Sequence, residues 1–354
     1  MNLLRRLHDL PGVLVRDLPR YRAALSATSK DAGAWASLCN RNETLLQVEG
    51  SRGYQCQWQW GSELHAPLVL PSLGRKLMQT ALHEWPIRFA DRQPVFEGQP
   101  RISFVIAHSG EARLPQLIQT LRSLFAQEGV YCECIVVDQS PAPLLDRLPQ
   151  GTVYRHLDKS GMTPGWRKSW AFNVGARLAR ADILVFHDGD ICAPAGYARE
   201  LLQVMGEGRY TAASLQRVLF YLTREDTARL LVGDAVPDDG VPSPALQNWK
   251  GGTIAIRKDA FKAIGGFDEG FVDWGGEDDE FYDRCQLVGH CRAGYLPFVH
   301  LWHAPQAKRH AADNINTTRV LPVRFAIPRE DRVAELNARA WGDAARPDPV
   351  ERYT

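Results

Sequence analysis

The chain of 354 residues is long enough for one large α/β domain with an accessory region, and too short for several such domains. Its 42 Lys and Arg residues balance 41 Asp and Glu residues, and the formal charge of +1 gives no overall field that would attract nucleic acid. We therefore expect no nucleic-acid partner. The seven cysteines are an odd number without paired CxxC motifs, which favours a reducing compartment over a disulfide framework or a zinc ribbon.

The N-terminal residues carry no secretory signal, and no apolar run reaches membrane-spanning length, so we expect a cytoplasmic protein. Residues 1–25 nevertheless place leucines at helical spacing beside arginines, a pattern that can lie on an anionic membrane surface. These residues are Leu3, Leu4, Leu7, Leu10, Arg5 and Arg6. A peripheral contact with the inner membrane is one interpretation, which a lack of binding to anionic vesicles would exclude. A helix packed on its own domain is the other.

Residues 1–100 show no clean alternation of strand and helix and are rich in tryptophan, so we interpret them as an N-terminal accessory region of unknown role. Gly98 and Pro100 punctuate the chain just before a regular βα pattern begins. We therefore place the main domain at residues 101–320 and a C-terminal extension at residues 321–354.

The main domain begins with a regular order of strands and helices. ISFVIA, from residue 102, is a short apolar run typical of a buried parallel strand, and LPQLIQTLRSLFAQ has a helical period. CECIVVD predicts a second strand, residues 168–178 predict a second helix, and ADILVFHDGD predicts a third strand. This order predicts an α/β fold with a mostly parallel central sheet.

Polar residues end each predicted strand, at the edge where such sheets bind their ligands. They are His108 and Ser109 after the first strand, Asp138 after the second, and His187, Asp188 and Asp190 after the third. Because the carboxyl ends of parallel strands share one edge, we expect the three strand ends to meet in one crevice.

Asp188-Gly189-Asp190 sets two carboxylates one residue apart, around a glycine that lets a bulky ligand approach the backbone. Carboxylate and phosphate oxygens are the ligands that Mg²⁺ or Mn²⁺ prefers, and a nearby imidazole shifts the preference toward Mn²⁺. His300 or His303, in the run FVHLWH, could supply that imidazole. A solvated turn, and a packed or surface pair of histidines, are the alternatives.

Four consecutive acids follow Trp274-Gly275-Gly276. These acids are Glu277, Asp278, Asp279 and Glu280. An exposed helix N-terminus would account for the acids alone, since the helix dipole favours negative charge there. It does not account for the tryptophan and the two glycines, which indicate a platform for the flat face of a sugar with close approach of the backbone.

These segments resemble the GT-A-fold glycosyltransferases, which have a Rossmann-like, nucleotide-sugar-binding fold. The resemblance is to family-two enzymes whose acceptor half looks like that of β-1,4-galactosyltransferases and bacterial chondroitin polymerases. It covers about two thirds of the chain. The segments that carry it, in the order usual for that group, are ISFVIAHSG, CIVVDQS, KSWAFNVGARLARADILVFHDGD, GGFDEGFVDWGGEDDEFYDR and HLWH.

The resemblance implies a donor site in the first half of the domain. Ala107 and His108 would line the nucleotide pocket, and Asp138 would contact the base. The chain reads DQS from Asp138, where many relatives have two aspartates and a glycine, which leaves the choice of base open. Lys168 is a hypothetical diphosphate contact, with a plain helix-surface lysine as the alternative.

For the metal, Mn²⁺ or Mg²⁺, the resemblance implies Asp190 as the main ligand, His303 or His300 as the imidazole, and Asp188 near the ribose or the metal. In the acceptor half it implies Asp278 as the general base. The remaining acceptor contacts would be Trp274, Gly275, Gly276, Glu277 and Asp279, with Glu277 and Asp279 holding sugar hydroxyls.

A carboxylate base suits a single displacement opposite the leaving group, which predicts an inverting enzyme. The resemblance implies that the enzyme moves a hexose or N-acetylhexosamine from a UDP-sugar to a hydroxyl of a glycan or lipid-linked saccharide. Retaining polypeptide N-acetylgalactosaminyltransferases have a related stretch, but theirs continues Glu-Asn where this chain has Glu277-Asp278. The resemblance suggests synthesis of a bacterial surface polysaccharide. Two other classes stay open: a non-catalytic glycan-binding module on the same fold, and a nucleotidyltransferase, which would release pyrophosphate.

Overall fold

The computed structural model describes residues 3–26, 33–48, 50–57, 61–95, 97–160, 162, 164–206, 208–247, 251–304 and 314–345, with side chains from residue 8 onward. The α-helices in these ranges are α1 (Leu3–Gly12), α2 (Leu18–Ala24), α3 (His65–Val69), α4 (Pro71–Glu84), α5 (Leu114–Phe125), α6 (Lys168–Leu178), α7 (Tyr197–Gly206), α8 (Arg224–Val232), α9 (Lys258–Ala263), α10 (Glu277–Arg284), α11 (Leu321–Phe325) and α12 (Arg329–Asn337). The strands are β1 (Leu45–Gln47), β2 (Tyr54–Cys56), β3 (Ser62–Glu63), β4 (Ile102–His108), β5 (Cys132–Asp138), β6 (Val153–His156), β7 (Ile183–His187), β8 (Ile191–Cys192), β9 (Ala212–Ala213), β10 (Gln216–Tyr221), β11 (Ala245–Gln247), β12 (Thr253–Arg257), β13 (His290–Cys291) and β14 (Leu296–His300).

The helices in the described ranges include none with the length and apolar content that crossing a membrane requires. The side chains of Leu3, Leu4 and Leu7, on which the membrane hypothesis rests, lie outside the described residues. Contact with a membrane surface therefore stays a prediction.

The central sheet has the strand order β13-β9-β12-β7-β4-β5-β6. Its strands pair in parallel, except that β12 runs antiparallel to both of its neighbours, β7 and β9. The predicted α/β fold with a mostly parallel central sheet is therefore confirmed. A second sheet, of order β3-β11-β10-β14-β8, shares a buried apolar cluster with the central sheet.

Alternating side chains of the central strands pack against helices on opposite faces of the sheet. Phe104 of β4 belongs to the same buried cluster as Leu117 of α5, whereas its neighbour Val105 belongs to the cluster of Trp170 of α6. Because both faces are covered, all seven residues of β5 are buried. This double cover explains why the strands appear in the sequence as continuous apolar runs.

One edge of the central sheet collects the strand ends that the sequence indicated. His108 and Asp138, the last residues of β4 and β5, are paired in register, and β7 runs parallel to β4 and ends at the same edge. The antiparallel strand β12 begins there, with Thr253 opposite His187. The turn through Gly252 therefore lies beside the predicted crevice.

The regions that flank residues 101–320 pack on the main domain. Strand β3 pairs with β11 of the second sheet, and the buried Arg217 donates to the carbonyl oxygens of Ala36 and Leu38, at 2.6 Å each. Toward the C-terminus, Nη1 of Arg332 donates to Oε1 of Glu280 at 2.9 Å. The predicted boundaries near residues 100 and 320 stay predictions.

Gly175 of α6 lies directly on β4 and β5, where an added Cβ would be 2.3 Å from Cγ1 of Val105 and 3.2 Å from Cγ2 of Val137. We expect Gly175→Ala to lower the free energy of unfolding by about 1–3 kcal/mol, because the packed interface has no room for a methyl group. Gly206→Ala in α7 is the control, since an added Cβ there meets nothing within 4 Å. Urea unfolding followed by circular dichroism compares the two variants, and equal stabilities would contradict the prediction.

Candidate active site

The crevice at this sheet edge is a pocket of about 290 Å³. It brings together residues that the sequence predicted separately for two halves of a site. From the donor half come Ala107, Asp188 and Asp190, and from the acceptor half come Trp274, Glu277 and Asp278. The start of α6 and the end of β14 complete the walls with Lys168, His300 and His303.

Asp190 and two histidines form a cluster whose candidate ligand atoms all lie within 4.8 Å of one another. Nε2 of His303 is 3.2 Å from Oδ2 of Asp190, and Nε2 of His300 is 3.7 Å from Oδ1. Burial opposes ionisation of Asp190, but the charges of His300, His303 and Arg113 hold its pKa below the usual range. One ionised carboxylate and two imidazoles are a donor set that fits a divalent transition metal such as Mn²⁺.

Lys168, the first residue of α6, contacts carboxylates from both halves of the pocket. Its Nζ lies 3.0 Å from Oδ1 of Asp188, 3.3 Å from Oε1 of Glu277 and 3.3 Å from Oδ2 of Asp278. Burial opposes the charge, but the three carboxylates raise the pKa of Lys168 well above its usual value. Asp188 therefore contacts Lys168, and it is not part of the cluster around Asp190. Its role as a metal ligand stays a prediction.

Glu277 and Asp278 occupy the first turn of α10. Desolvation raises the pKa of Asp278 to about 7; Lys168 opposes the rise, and the neighbouring acids add to it. The Glu277 side chain is 7% exposed, and its Oε2 has no hydrogen-bond partner among the described residues. A buried polar atom without a partner is costly, so this oxygen is placed to accept a hydrogen bond from a ligand.

Two predicted donor residues, His108 and Asp138, are buried outside the residues described as lining the pocket. Burial lowers the pKa of His108, and its Nε2 has no hydrogen-bond partner within the described ranges. Oδ1 of Asp138 accepts hydrogen bonds from the backbone N–H and the hydroxyl of Ser140, and its Oδ2 accepts one from the hydroxyl of Tyr154. Both carboxylate oxygens are therefore engaged by the protein, and contact between Asp138 and a base stays a prediction.

The acceptor platform divides into one exposed ring and a supporting loop. The Trp274 side chain is 39% exposed and lines the pocket. Gly275, Gly276 and Asp279 are not among the described lining residues. The two glycines have φ values of 105° and 86°, a backbone conformation that a residue with a Cβ rarely adopts. Contact of these three residues with a sugar stays a prediction.

Among the charged and aromatic side chains described as lining the pocket, Arg113, Trp166 and Tyr221 have no counterpart among the sequence predictions. Nη1 of Arg113 lies 3.3 Å from Oδ2 of Asp190, and the ring of Tyr221 stacks on His300 with centroids 4.1 Å apart. Trp166 lines the pocket beside Lys168. Arg113 follows the end of β4 closely in the sequence, which is the one signal that could have indicated it. Tyr221 ends a strand of the second sheet, which the sequence did not reveal.

Family comparison matches glycosyltransferase domains to the residues of this site other than His300 and His303. Residues 103–264 match the model described as "Glycosyl transferase family 2", and residues 242–298 match one described as "N-terminal domain of galactosyltransferase". The chain contains a glycosyltransferase domain. The predicted enzyme class is thereby confirmed for this domain, and the match agrees with the predicted GT-A fold. The likeness to chondroitin polymerases stays a prediction.

Curated proteins with similar sequences are also named as glycosyltransferases. The chain is 28% identical over 218 residues to "Polypeptide N-acetylgalactosaminyltransferase 8" of Drosophila melanogaster, an alignment that covers 54% of this chain and 36% of the relative. It is 24% identical over 152 residues to "Beta-1,4-galactosyltransferase 5" of Mus musculus, covering 42% of this chain and 33% of the relative. The chain thus spans about a third of the length of these relatives.

Two solved structures show a weaker likeness. One is a mannosyltransferase from Pyrobaculum calidifontis in complex with GDP-Man and Mn²⁺, at 15% identity and a TM-score of 0.42, covering 77% of this chain and 79% of that one. The other is the catalytic domain of Drosophila beta1,4galactosyltransferase 7 in complex with xylobiose, at 16% identity and a TM-score of 0.34, covering 61% of this chain and 78% of that one.

Mn²⁺ titration followed by electron paramagnetic resonance tests the cluster without requiring activity. We expect His303→Ala and Asp190→Asn each to weaken Mn²⁺ binding by roughly tenfold or more, because each removes a candidate ligand atom. His83→Ala, on the exposed side of α4, is the control and should bind as the wild type does. Unchanged binding in both site variants would show that the ion binds elsewhere or not at all.

Proposed function

We propose that the protein is an inverting, metal-dependent glycosyltransferase. It moves a hexose or N-acetylhexosamine from a UDP-sugar to a hydroxyl of a glycan or glycolipid, with Asp278 as the general base. The transferred groups in the relatives' names, galactose and N-acetylgalactosamine, support this sugar class. The choice of uridine, and the setting of bacterial surface polysaccharide synthesis, rest on the family resemblance.

The observation that carries the proposal is that one pocket holds both a candidate metal cluster and a candidate base. Asp190 and its histidines occupy the donor side, whereas Glu277 and Asp278 occupy the acceptor side. Lys168 contacts Asp188 and both of these acids, so the two sides lie close together. A sugar bound between them would have its phosphate end toward the cluster and its anomeric carbon toward the acids.

The charges in the pocket suit a cation and a diphosphate bound together. Four carboxylates line the pocket against two permanent cations, Lys168 and Arg113. The carboxylates belong to Asp188, Asp190, Glu277 and Asp278. An anionic donor alone would add to the negative excess, whereas a divalent cation offsets it. Asp190, His303 and His300 are the residues that would hold the ion, which neutralises charge on the departing diphosphate.

The transfer needs one proton acceptor on the side of the acceptor. The acceptor hydroxyl oxygen forms a bond to the anomeric carbon as the bond from that carbon to the diphosphate oxygen breaks, and the diphosphate leaves with the electron pair. The hydroxyl proton passes to the Asp278 carboxylate. Attack opposite the leaving group inverts the anomeric centre. Oε2 of Glu277 is placed to accept a hydrogen bond from a sugar hydroxyl.

Nucleoside-diphosphate release tests the function directly. The purified protein is incubated with Mn²⁺, with a panel of UDP-hexoses, UDP-N-acetylhexosamines and GDP-mannose, and with p-nitrophenyl glycosides as acceptors. We expect release from one UDP-sugar, stimulated by acceptor and lowered by roughly a hundredfold or more in Asp278→Asn, because the substitution removes the base. Asp259→Asn, at an exposed position of α9, is the matched control.

Each alternative class gives a different result in this assay. Release of pyrophosphate in place of nucleoside diphosphate would indicate a nucleotidyltransferase. If no donor is hydrolysed and none raises the melting temperature, the transferase assignment fails and a non-catalytic glycan-binding module takes its place. A product with the anomeric configuration of the donor would contradict the inverting mechanism.

The pH dependence of kcat/KM tests the role of Asp278 as base. Because this carboxyl has a pKa of about 7 and must be ionised to accept a proton, we expect kcat/KM to fall as pH drops below about 7. Lys168→Met removes the charge that favours the ionised form, so the acid limb should move to higher pH. Lys76→Met, exposed on α4, should leave the limb in place. An acid limb in the ordinary range of aspartate, in both wild type and Lys168→Met, would contradict this assignment.

A further inference from the structure

The loop that presents Trp274 has an unusual backbone. Asp273 has a φ of 66°, and Gly275 and Gly276 have φ values of 105° and 86°. For a residue with a Cβ, as at Asp273, a positive φ is strained and persists only where surrounding contacts hold it. The position of the Trp274 ring therefore depends on what holds this loop.

Two buried asparagines from the segment after β14 hold one side of the loop. Nδ2 of Asn314 donates to the carbonyl oxygen of Trp274 at 3.0 Å. Nδ2 of Asn316 donates to the carbonyl oxygen of Val272 at 2.7 Å and lies 3.4 Å from that of Trp274. The asparagines thus bind the backbone on both sides of Asp273, next to the Trp274 side chain that lines the pocket.

Asn314 is itself fixed by its own segment. Its Oδ1 accepts hydrogen bonds from the backbone N–H groups of Asn316 and Thr317, at 3.0 Å and 3.3 Å. Both ends of its amide are therefore engaged: the oxygen orients the side chain, and the nitrogen binds the loop. This division of roles makes it possible to remove one bond and keep the other.

The close fit of the two segments is a second reason why position 275 is occupied by a glycine. A Cβ on Gly275 would lie 3.1 Å from Cγ2 of Thr317 and 3.3 Å from Nδ2 of Asn314. The glycine therefore lets the asparagine segment approach the loop closely. On the other side of the loop, the backbone N–H of Trp166 donates to Oδ1 of Asp273 at 3.0 Å. Contacts from two sides thus hold the backbone of the loop, and the Trp274 side chain is 39% exposed and lines the pocket.

We infer that Asn314 and Asn316 are positioning residues that set the affinity for the acceptor saccharide by fixing Trp274. The ligand class is a sugar with an apolar ring face that stacks on the indole. This inference rests on the proposed function. Neither asparagine is among the described residues that line the pocket, so their effect passes through the loop.

Isosteric variants test the inference with little risk to folding. Asn314→Asp keeps the oxygen that accepts from Asn316 and Thr317 and loses the donor to Trp274. Asn316→Asp loses the donor to Val272. Asn337→Asp is the matched control, because its amide donates to the carbonyl oxygen of Ala263 at the surface, away from the loop.

The readout separates acceptor from donor. With the donor and p-nitrophenyl glycoside that give the fastest release by wild type, we expect the acceptor KM to rise roughly tenfold in Asn314→Asp and Asn316→Asp, because the platform is displaced. The rate of donor hydrolysis without acceptor, and the donor KM, should stay within about twofold of wild type, since these variants change no donor contact. Asn337→Asp should match wild type in the acceptor KM, the donor KM and the rate of donor hydrolysis without acceptor.

The other outcomes distinguish a failure of the positioning role of the asparagines from a failure of the proposed function. An unchanged acceptor KM with intact donor hydrolysis would overturn the positioning role. Equal losses of donor hydrolysis and acceptor affinity would also overturn it, because they would indicate a general structural role. If the wild type hydrolyses no donor, the proposed function fails, and titration calorimetry with the same glycosides then tests the asparagines alone: unchanged affinity in the variants would overturn their role.

Discussion

One largely buried ammonium group, on a side chain that is 15% exposed, holds the two sides of the crevice together. Lys168 contacts Asp188, directly after β7, and also Glu277 and Asp278, which open α10 about a hundred residues later in the chain. Three carboxylates this close would repel one another and take up protons if no cation lay between them. The placement of the donor side relative to the acceptor side therefore depends on this lysine, and the lysine depends on α6, whose packing across β4 and β5 fixes where the helix begins.

A second set of charged side chains fixes helix α10 at Glu280. Glu280 accepts hydrogen bonds from Arg284 at 2.6 Å and from Arg332 at 2.9 Å, and all three side chains are buried. Such a network is weak evidence for stability, because desolvation offsets much of the attraction, but it does fix orientation when every partner is engaged. Glu277 and Asp278 lie one turn before Glu280, so the network also fixes where these two acids point. The C-terminal region thereby supports the acceptor side of the pocket, although it lies outside both family matches.

Local sequence pattern was sufficient to predict the strands and helices, because these elements depend on residues that are neighbours in the sequence. The apolar runs of β4 and β5 and the helical periods of α5 and α6 led to the correct sheet, and its edge led to Asp188 and Asp190 as candidates. His303, with His300 as the alternative, came instead from the run FVHLWH and the family resemblance, and the roles of all these residues stay predictions. The support of Trp274 by Asn314 could not be predicted in this way, because a hydrogen bond between residues 40 positions apart leaves no periodic signal in either segment. Asp138 shows the opposite difficulty: its place at a strand end was correct, but the hydroxyls of Ser140 and Tyr154 that surround it are visible only in three dimensions.

The surroundings of Asp278 balance two opposed requirements on a general base. A solvated aspartate has a pKa near 4 and accepts a proton weakly, whereas one buried beside two other acids and no cation would be protonated at neutral pH and could accept none. Desolvation together with Glu277 and Asp188 moves the pKa of Asp278 upward, and Lys168 limits the rise, so that it lies at about 7. At that value an appreciable fraction of the carboxyl is ionised under neutral conditions and still binds a proton strongly. The lysine that joins the two sides of the pocket therefore also adjusts the strength of the base.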